Sequence, residues 1–480
     1  MDRVSRIWRL LSRPGVGVAA FAGALYLVRL GDGVLVEDPA RYAAAAKAIV
    51  DTGEWLTMHI GGEPYFNKPP LVFWLTACVF HVAGVGTAAA RLVPALLGAG
   101  TLLLVYDLVR RWRGPQAGVL AAVVLGLTND FLRHTAEARL DGPQAFFMVL
   151  AAWAGMRALL GGNRWWALVP GVVCGLGFLA KGPMVLTVLP AVALAALACG
   201  RARRVLGAPF WLGLGLGAAV AAPWFVLVSQ ANPEFAAHFF GHEIAARLEG
   251  AWQADKSRWH FVYVLAVHGL PWTPFWAAGA WMAARRARGA GPRDRGAQVL
   301  LLAWAAVTLA AAFAPPRMYG RYLVPAYPPL AALAVLPLVR LLPAAVPAHL
   351  ARRLTVWGLV LGLGIAAAPV SRHETDRKYG IRLVAPLVRA AVPPGAPVPL
   401  FHPEVHAPRA VVAFYFDRPS VWLNAADEAL HTRSPLVVTS EGGLAQLRPL
   451  GFEPVLARSR FVLASRGPFV EPDPSPRPVP

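Results

Sequence analysis

Charged residues are scarce in this sequence. Asp, Glu, Lys and Arg make up 15% of the 480 residues, while 57% are hydrophobic. Soluble globular domains carry about 25% charged residues, so a soluble chain of this length is excluded. Apolar runs of about 20 residues recur instead, the length needed to cross the hydrocarbon core of a bilayer. The composition therefore predicts an integral membrane protein with many spans.

Cysteines are few and nucleotide-binding motifs are absent. The three cysteines, Cys78, Cys174 and Cys199, lie in apolar stretches, and their spacing matches neither a metal site nor a disulfide framework. The sequence contains no GxxxxGK motif followed by Ser or Thr, and no GxGxxG motif between a strand and a helix. These absences argue against an ATP-driven pump and against a cytosolic nucleotide-sugar enzyme.

Acidic residues are the scarcer charge, with 26 against 46 basic residues and a net charge of +20. A nucleic-acid-binding surface would produce such a balance, but here the arginines cluster between the apolar runs. Cytoplasmic loops have this composition under the positive-inside rule. We therefore expect a cytoplasmic N-terminus and the following external segments: 32–90, 131–142, the turn at Lys181, 230–260, 315–321 and all residues after 370.

The apolar runs predict 11 or 13 transmembrane helices. The run 71–86 is too short for an ordinary span, and we expect a juxtamembrane or re-entrant segment or a pair of crossings there. A short run such as 116–130 is expected to be tilted or broken. The expected spans lie near 15–31, 91–109, 116–130, 143–160, 164–180, 183–199, 208–229, 261–283, 297–314, 322–340 and 353–370.

The chain divides into three parts by composition. Residues 1–370 form the transmembrane domain, with a first external loop at 32–70. Residues 371–470 predict a small soluble α/β domain outside the cytoplasm, and the proline-rich tail 471–480 predicts disorder. Within the α/β domain we expect strands at 397–401, 411–416, 435–440 and 461–465, and helical or turn segments at 381–392 and 424–432.

The first external loop contains one helical stretch. Asp38 followed by Pro39 predicts the start of this helix, with Asp38 as the N-cap, and Gly53 predicts its end. We expect this helix to lie along the membrane surface. Asp38, Arg41 and Tyr42 then share one face, because positions i, i+3 and i+4 of a helix are neighbours. Asp38 is either only a helix cap or an acid placed for chemistry.

The same loop ends in a second group of polar residues. Tyr65, Asn67 and Lys68 precede a Pro-Pro pair, which fixes the chain before the next apolar run. Lys68 is either an interfacial lysine that snorkels to the surface or a cation placed for binding. A lysine on the outer side gains nothing from the positive-inside bias, which favours the second interpretation.

Other external segments add candidate charged residues. A lysine at the depth of Lys181 is costly without an anionic partner. His238 and His242 have helical spacing, but the HExxH order and a third ligand are absent, so a metal site is not favoured. The candidates in these segments are Asp141, Lys181, Arg247 and Arg321.

This inventory of external acids and cations fits transfer from a lipid phosphate. Cations stabilise the charge that develops on a departing phosphate. A hydroxyl acceptor is a weak nucleophile and needs a carboxylate base to take its proton.

Five segments resemble the bacterial relatives of the protein O-mannosyltransferases, in particular the lipid A aminoarabinose transferases. The resemblance covers roughly residues 15–340. It rests on DPARYAAAAKAIVDTGEWLTMHIGGEPYFNKPPLVFW in the first loop, RLVPALLG at 91–98, RLDGPQAFF at 139–147, GLGFLAKGPMVLTVLP at 175–190 and YLVPAYPPLAALA at 322–334. It implies a multi-spanning α-helical membrane protein of the GT-C architecture, with an external C-terminal α/β domain.

The resemblance also implies a function. It implies an inverting transfer of a sugar from undecaprenyl phosphate to a lipid, glycan or protein acceptor on the periplasmic face of the bacterial inner membrane. Asp38 matches the catalytic acid of the first loop and Asp141 the second acidic position. The residues that match donor-phosphate or substrate positions, together with the nearby cations that we expect to assist, are Arg41, Lys68, Arg247, Lys181, Arg321, Tyr42, Tyr65 and Glu37.

Two departures from the family pattern bear on cofactors. The family has a second acid directly after the first, where this chain has Pro39, with Glu37 one residue early. Asn67 replaces an acid before the lysine. Both changes weaken a metal site in this loop, and a divalent cation is the one cofactor left open. The alternatives are a transferase with a pyrophosphate-linked donor, a lipid or sugar transporter, and a non-catalytic protein that binds glycan or lipid.

Overall fold

The computed structural model describes nine stretches of the chain: residues 14–31, 33–161, 163–246, 257–316, 319–341, 381–403, 408–432, 434–458 and 461–466. They fall into two compact units. The helical unit comprises Met1–Arg29, Phe66–Val72 and Pro94–Ala367. The sheet unit comprises Leu30–Tyr65, Phe73–Val93 and Ala368–Pro480.

Helices dominate the described residues. The helices are α1 (Pro14–Leu27), α2 (Glu37–Thr52), α3 (Leu71–Ala83), α4 (Thr87–Arg113), α5 (Pro115–Gly126), α6 (Asn129–Ala136), α7 (Asp141–Leu159), α8 (Val169–Ala180), α9 (Val188–Ala198), α10 (Ala202–Val205), α11 (Ala208–Ala231), α12 (Arg258–His268), α13 (Thr273–Ala287), α14 (Pro292–Phe313), α15 (Tyr327–Leu341), α16 (Ile381–Ala391), α17 (Pro408–Val411) and α18 (Glu441–Leu447). Shorter 3₁₀ segments lie at Val28–Gly31, Arg164–Ala167, Pro183–Thr187, Gly320–Ala326, Ala426–His431 and Arg448–Leu450, and π-helical segments lie at Ala237–Ala245 and Val412–Phe416.

The predicted membrane protein with several spans is confirmed. Among the described residues, five helical stretches are long and apolar enough to cross a bilayer, and a sixth candidate is α5 with α6, which are bent by 71°. The break in the predicted span 116–130 is therefore confirmed. The five stretches are Pro14–Gly31, Thr87–Arg113, Ala202–Ala231, Pro292–Phe313 and Gly320–Leu341. The total of 11 or 13 stays a prediction, and the expected span 353–370 lies outside the described residues.

The structure decides the form of two apolar runs, the predicted span 261–283 and the short run 71–86. The run 261–283 is wrong as a single span, because it forms α12 and α13, separated by a segment with Gly269 and Pro271. Proline removes a backbone donor and ends helices. The run 71–86 contains α3, whose 13 residues reach about 20 Å at 1.5 Å per residue. That length falls short of a hydrocarbon core of about 30 Å.

Helices α8 and α11 pack through glycine. A Cβ on Gly175 would lie 2.2 Å from the carbonyl oxygen of Gly217, and a Cβ on Gly217 would lie 2.2 Å from the carbonyl oxygen of Gly171. Gly171 and Gly175 on α8, and Gly213 and Gly217 on α11, are each spaced by four residues. Small residues at this spacing let two membrane helices touch through their backbones.

The sheet unit contains a mixed five-stranded sheet. The strands are β3 (Val398–Phe401), β4 (Ser420–Trp422), β5 (Leu436–Thr439), β6 (Phe452–Arg458) and β7 (Phe461–Arg466), while β1 (His59–Ile60) and β2 (Glu63–Pro64) form a separate hairpin. The strand order in the sheet is β4-β3-β5-β7-β6, with β3 parallel to β4 and β5, and β7 antiparallel to β5 and β6. The predicted α/β character is confirmed. The boundary predicted at 370 and the tail 471–480 lie outside the described residues.

The predicted strand 411–416 is wrong. These residues form the end of α17 and the π-helical segment Val412–Phe416. Val411, Phe414 and Phe416 are fully buried. A short apolar run that is buried on all sides carries no period that would distinguish a strand from a helix.

Helix α2 begins two residues earlier than predicted, since its N-cap is Val36. It begins at Glu37, so Asp38 lies inside the first turn and is not the N-cap. Its end is as predicted, because Gly53 has φ 73° and donates its N–H to the carbonyl of Ile49 at 2.9 Å. The location of α2 along a membrane surface stays a prediction.

Candidate active site

The start of α2 carries the predicted acid and its neighbours. Arg41 donates from Nη1 to Asp38 Oδ1 at 2.6 Å, so the predicted shared face is confirmed. The Asp38 side chain is largely buried and that of Arg41 is partly exposed. Glu37, directly before Asp38, has φ 57°. A residue with a Cβ in this left-handed region costs about 1 kcal/mol, so the backbone is strained next to Asp38.

The two predicted substrate-contacting tyrosines both lie near one phenylalanine, Phe73. The ring of Tyr42 is 5.8 Å from that of Phe73, and the ring of Tyr65 is 6.2 Å from it in an edge-on arrangement. Tyr42 is buried, while Tyr65 is more accessible. The sheet unit thus places aromatic side chains close to the acid-bearing helix.

Lys68, in the helical unit, has a partner that the sequence did not reveal. Its Nζ donates to Glu243 Oε2 at 2.9 Å and to the carbonyl of Asn67 at 2.9 Å. The amide of Asn67 donates to the other oxygen of Glu243. The side chains of Lys68 and Glu243 are only 15% and 2% exposed. Glu243 belongs to the π-helical segment Ala237–Ala245, and such segments occur often at functional sites.

Asp141 and Lys181 form a second buried ion pair. Lys181 donates from Nζ to Asp141 Oδ1 at 2.6 Å, and their side chains are 13% and 3% exposed. Asp141 opens α7 and Lys181 follows α8, so two helix ends meet here. The charge of Arg321 also acts on Asp141, and Tyr322 places its ring 6.0 Å from Lys181 Nζ. The structure thus brings three predicted residues together and supplies the anionic partner that a lysine at this depth requires.

A third buried cluster, also in the helical unit, was missed at the sequence level. Asp130 accepts a hydrogen bond from the Tyr327 hydroxyl at 2.8 Å. Its other oxygen lies 3.5 Å from His134 Nε2 and 3.6 Å from His268 Nδ1. The spacing of Asp130 and His134, four residues apart on α6, was the one local signal.

The two histidines with helical spacing lie near each other in the structure. The rings of His238 and His242 lie 5.5 Å apart. Within the described stretches, no group of three or more His, Cys, Asp or Glu residues is arranged to hold a metal ion. Arg247, the remaining predicted cation, lies outside the described residues.

Comparison with known proteins finds a family model that matches the central segment of the chain. Residues 67–227 match the family described as dolichyl-phosphate-mannose-protein mannosyltransferase. The predicted resemblance is therefore confirmed, and Lys68, Asp141 and Lys181 all lie inside the matched segment.

Curated relatives are similar over part of the chain. An undecaprenyl phosphate-alpha-4-amino-4-deoxy-L-arabinose arabinosyl transferase of Pseudomonas aeruginosa is 32% identical over 265 residues, which cover 52% of this chain and 47% of that protein. A protein of the same name from Pseudomonas fluorescens is 29% identical over 320 residues, covering 65% and 57%. The chain thus spans about half the length of the curated relatives that it matches.

Solved structures share the fold over nearly the whole chain. The crystal structure of ArnT from Cupriavidus metallidurans bound to undecaprenyl phosphate superposes with a TM-score of 0.73 at 21% identity, covering 96% of this chain and 98% of that one. The archaeal oligosaccharyltransferase AglB from Archaeoglobus fulgidus reaches a TM-score of 0.52 at 14% identity, covering 88% and 65%. At these identities the likeness shows a common fold, in agreement with the predicted GT-C architecture.

Proposed function

We propose that this protein is an integral membrane glycosyltransferase of the bacterial inner membrane. It transfers a sugar from a polyprenyl phosphate, undecaprenyl phosphate, to a lipid, glycan or protein acceptor on the periplasmic face, with inversion at the anomeric carbon. One observation carries this proposal. Lys68, Asp141 and Lys181, which are ion-paired and largely shielded from solvent, lie inside the segment that matches a family named for sugar transfer from a lipid phosphate.

On the donor side, the departing group is a phosphate anion. Lys68 binds it, since an ammonium group offers three donors and gains most from an anion in a site shielded from water. Glu243 neutralises Lys68 before the donor arrives. The donor phosphate therefore joins Glu243 on the ammonium or takes its place. Lys181, Arg321 and Arg247 add positive charge for the same phosphate.

On the acceptor side, the hydroxyl needs a base. Asp38 takes the hydroxyl proton as the acceptor oxygen forms its bond to the anomeric carbon and the bond to the phosphate oxygen breaks. Arg41 holds the carboxylate of Asp38 in one orientation through the 2.6 Å contact. Asp141 positions the sugar or the base. Tyr42, Tyr65 and Glu37 contact the substrates beside Asp38.

The donor class is tested by transfer assays in membranes. Wild-type protein and the Asp38→Asn variant receive radiolabelled undecaprenyl phosphate linked to 4-amino-4-deoxyarabinose, mannose, glucose or galactose. Asp51→Asn is the matched control, because it makes the same chemical change on the same helix. We expect wild type and Asp51→Asn to pass label to one acceptor fraction, and Asp38→Asn to lose transfer while remaining folded.

Two outcomes would contradict the proposal. Full activity of Asp38→Asn would exclude Asp38 as the base. No transfer by the wild type from any of these donors, with native acceptors present, would exclude a monophosphate-linked donor. Pyrophosphate-linked donors would then be the next panel, and a protein inactive with both panels would be a transporter or a binding protein.

The proposed sidedness has its own test. We propose that the first external loop and the C-terminal domain face the periplasm. Cys78, which is exposed, is replaced by Ser, and single cysteines are introduced at the exposed positions Glu63 and Glu453. A membrane-impermeant thiol reagent added to intact cells after permeabilising only the outer membrane should label both. Labelling that requires lysis would place these segments in the cytoplasm.

A further inference from the structure

We propose that the C-terminal domain positions the helix that carries Asp38, through Lys47, Tyr415 and Asp417. This inference rests on the proposed function and assigns these three side chains a positioning role in it. All of them belong to the sheet unit, as does α2.

Lys47 connects α2 to the C-terminal domain. It is 8% exposed and lies on the same helix as Asp38, nine residues further on. Its ammonium donates to Asp417 Oδ1 at 2.5 Å and to the carboxylate of Asp51. Asp51 lies one turn away on α2 itself, so its contact with Lys47 does not attach the helix to another element. Asp417 lies 370 residues away in the chain, so its contact with Lys47 attaches α2 to the C-terminal domain.

Tyr415 holds the segment that leads into α2. Its hydroxyl accepts a hydrogen bond from the backbone N–H of Leu35 at 2.5 Å. Leu35 lies two residues before Glu37, where the helix begins, and both Leu35 and Tyr415 are buried. The C-terminal domain therefore contacts α2 before its first turn and again in its third turn, and Asp38 lies between the two contacts.

The backbone around Asp417, in the C-terminal domain, is held by its own contacts. Asp417 ends the segment Val412–Phe416 in a left-handed conformation, φ 57° and ψ 41°, which directs the backbone out of the helix. The next residue, Arg418, donates to the carbonyl oxygens of Val392 at 2.8 Å and Arg389 at 3.0 Å, at the end of α16. Aspartate and asparagine both tolerate the left-handed region, so Asp417→Asn removes the charge without changing the backbone preference.

Loss of either contact should loosen α2 and misplace Asp38. A displacement of about 1 Å at a reacting group lowers a rate by up to about 100-fold. We expect Asp417→Asn and Tyr415→Phe each to lower kcat about ten-fold. The KM for the donor should not change, because the donor phosphate is held by Lys68. Asp51→Asn should change neither value, since Lys47 keeps Asp417.

The deciding experiment measures hydrogen–deuterium exchange of the purified full-length protein. Backbone amides in residues 33–53 should exchange faster in Asp417→Asn and Tyr415→Phe than in wild type, and at the wild-type rate in Asp51→Asn. Unchanged exchange of α8 and α11 shows that each variant is folded. Wild-type exchange in Asp417→Asn and Tyr415→Phe, or equal acceleration in Asp51→Asn, would overturn the inference. Transfer by the wild type tests the proposed function separately, because the exchange readout needs no donor.

Discussion

Replacing Glu243 by Gln separates two roles that its carboxylate can have toward Lys68. The change removes one charge and keeps the size of the side chain. The pair is well shielded, with Glu243 2% and Lys68 15% exposed. Neutralising one partner of a buried ion pair costs about 3–5 kcal/mol. Lys68 keeps its hydrogen bond to the Asn67 carbonyl, so we expect the lower end, a loss of about 3 kcal/mol in the free energy of unfolding without ligand.

Ligand binding should reverse this loss. On the proposed function, the phosphate of undecaprenyl phosphate would supply the anion that Lys68 has lost in Glu243→Gln, whereas in wild type it would compete with Glu243. If ligand binding restores the full loss of about 3 kcal/mol, the dissociation constant of Glu243→Gln for undecaprenyl phosphate should be about 100-fold lower than that of wild type. If it restores only part of this energy, the dissociation constant should be about ten-fold lower. We therefore expect Glu243→Gln to bind undecaprenyl phosphate more tightly than wild type, and Lys68→Met to lose binding.

The assay is thermal unfolding of detergent-purified protein at increasing concentrations of undecaprenyl phosphate. Glu234→Gln is the control, because Glu234 is an exposed acid shortly before the same π-helical segment. Its Tm and its response to ligand should match wild type. The reasoning is refuted if Glu243→Gln loses affinity as fully as Lys68→Met. Glu243 would then hold Lys68 in its binding geometry, and would not occupy the place of the phosphate.

Two further predictions concern packing and pH. Gly175→Ala on α8 should lower the free energy of unfolding by about 1–3 kcal/mol, because its Cβ would meet the backbone of Gly217 on α11. Gly215→Ala, on the same helix as Gly217, is the control, because its Cβ would meet no atom within 4 Å and should not destabilise the protein. Thermal unfolding compares the two variants. Burial opposes the charge of Asp417, but the hydrogen bond and charge of Lys47 outweigh it and lower the pKa of that carboxyl below its ordinary 3.8. This contact therefore stabilises the protein above pH 3.8, and its contribution is lost as the pH falls through the lowered pKa. The Tm difference between wild type and Asp417→Asn should be constant near neutral pH and shrink in acid; a difference that persists unchanged below the folded pKa would contradict the assignment.

The sequence predicted the parts of the site that depend on local spacing. Asp38 and Arg41 are three residues apart on one helix, so their contact followed from the helical repeat. Glu243 was visible as one acid in a polar loop, but its pairing with Lys68 joins residues 175 positions apart. No period within a single segment reports such a contact. The place of Lys68 in the chain made it a candidate cation, but its electrostatic partner could not be predicted from the sequence.

The same limit explains the errors in the fold. Strand β4 has three residues, and β6 contains Pro454 and an irregular register, so neither shows the alternation that predicts a strand. The run 411–416 has enough apolar residues for a strand, yet it is helical because tertiary burial decides between the two. The long apolar helices of the helical unit were predicted well, since length and composition alone identify a span.

The buried ion pairs have a consequence for turnover on the proposed function. A lysine without a carboxylate partner would hold the product phosphate as firmly as the donor phosphate, and product release would limit the rate. When the lipid phosphate leaves, Lys68 re-forms its ion pair with Glu243, and Lys181 re-forms its ion pair with Asp141. Affinity is then set by the difference between phosphate and carboxylate as partners of the same cation, and not by the number of cations. Glu243→Gln should therefore bind the carrier lipid more tightly and turn over more slowly, with a burst of one transferred sugar per enzyme before a slow steady state.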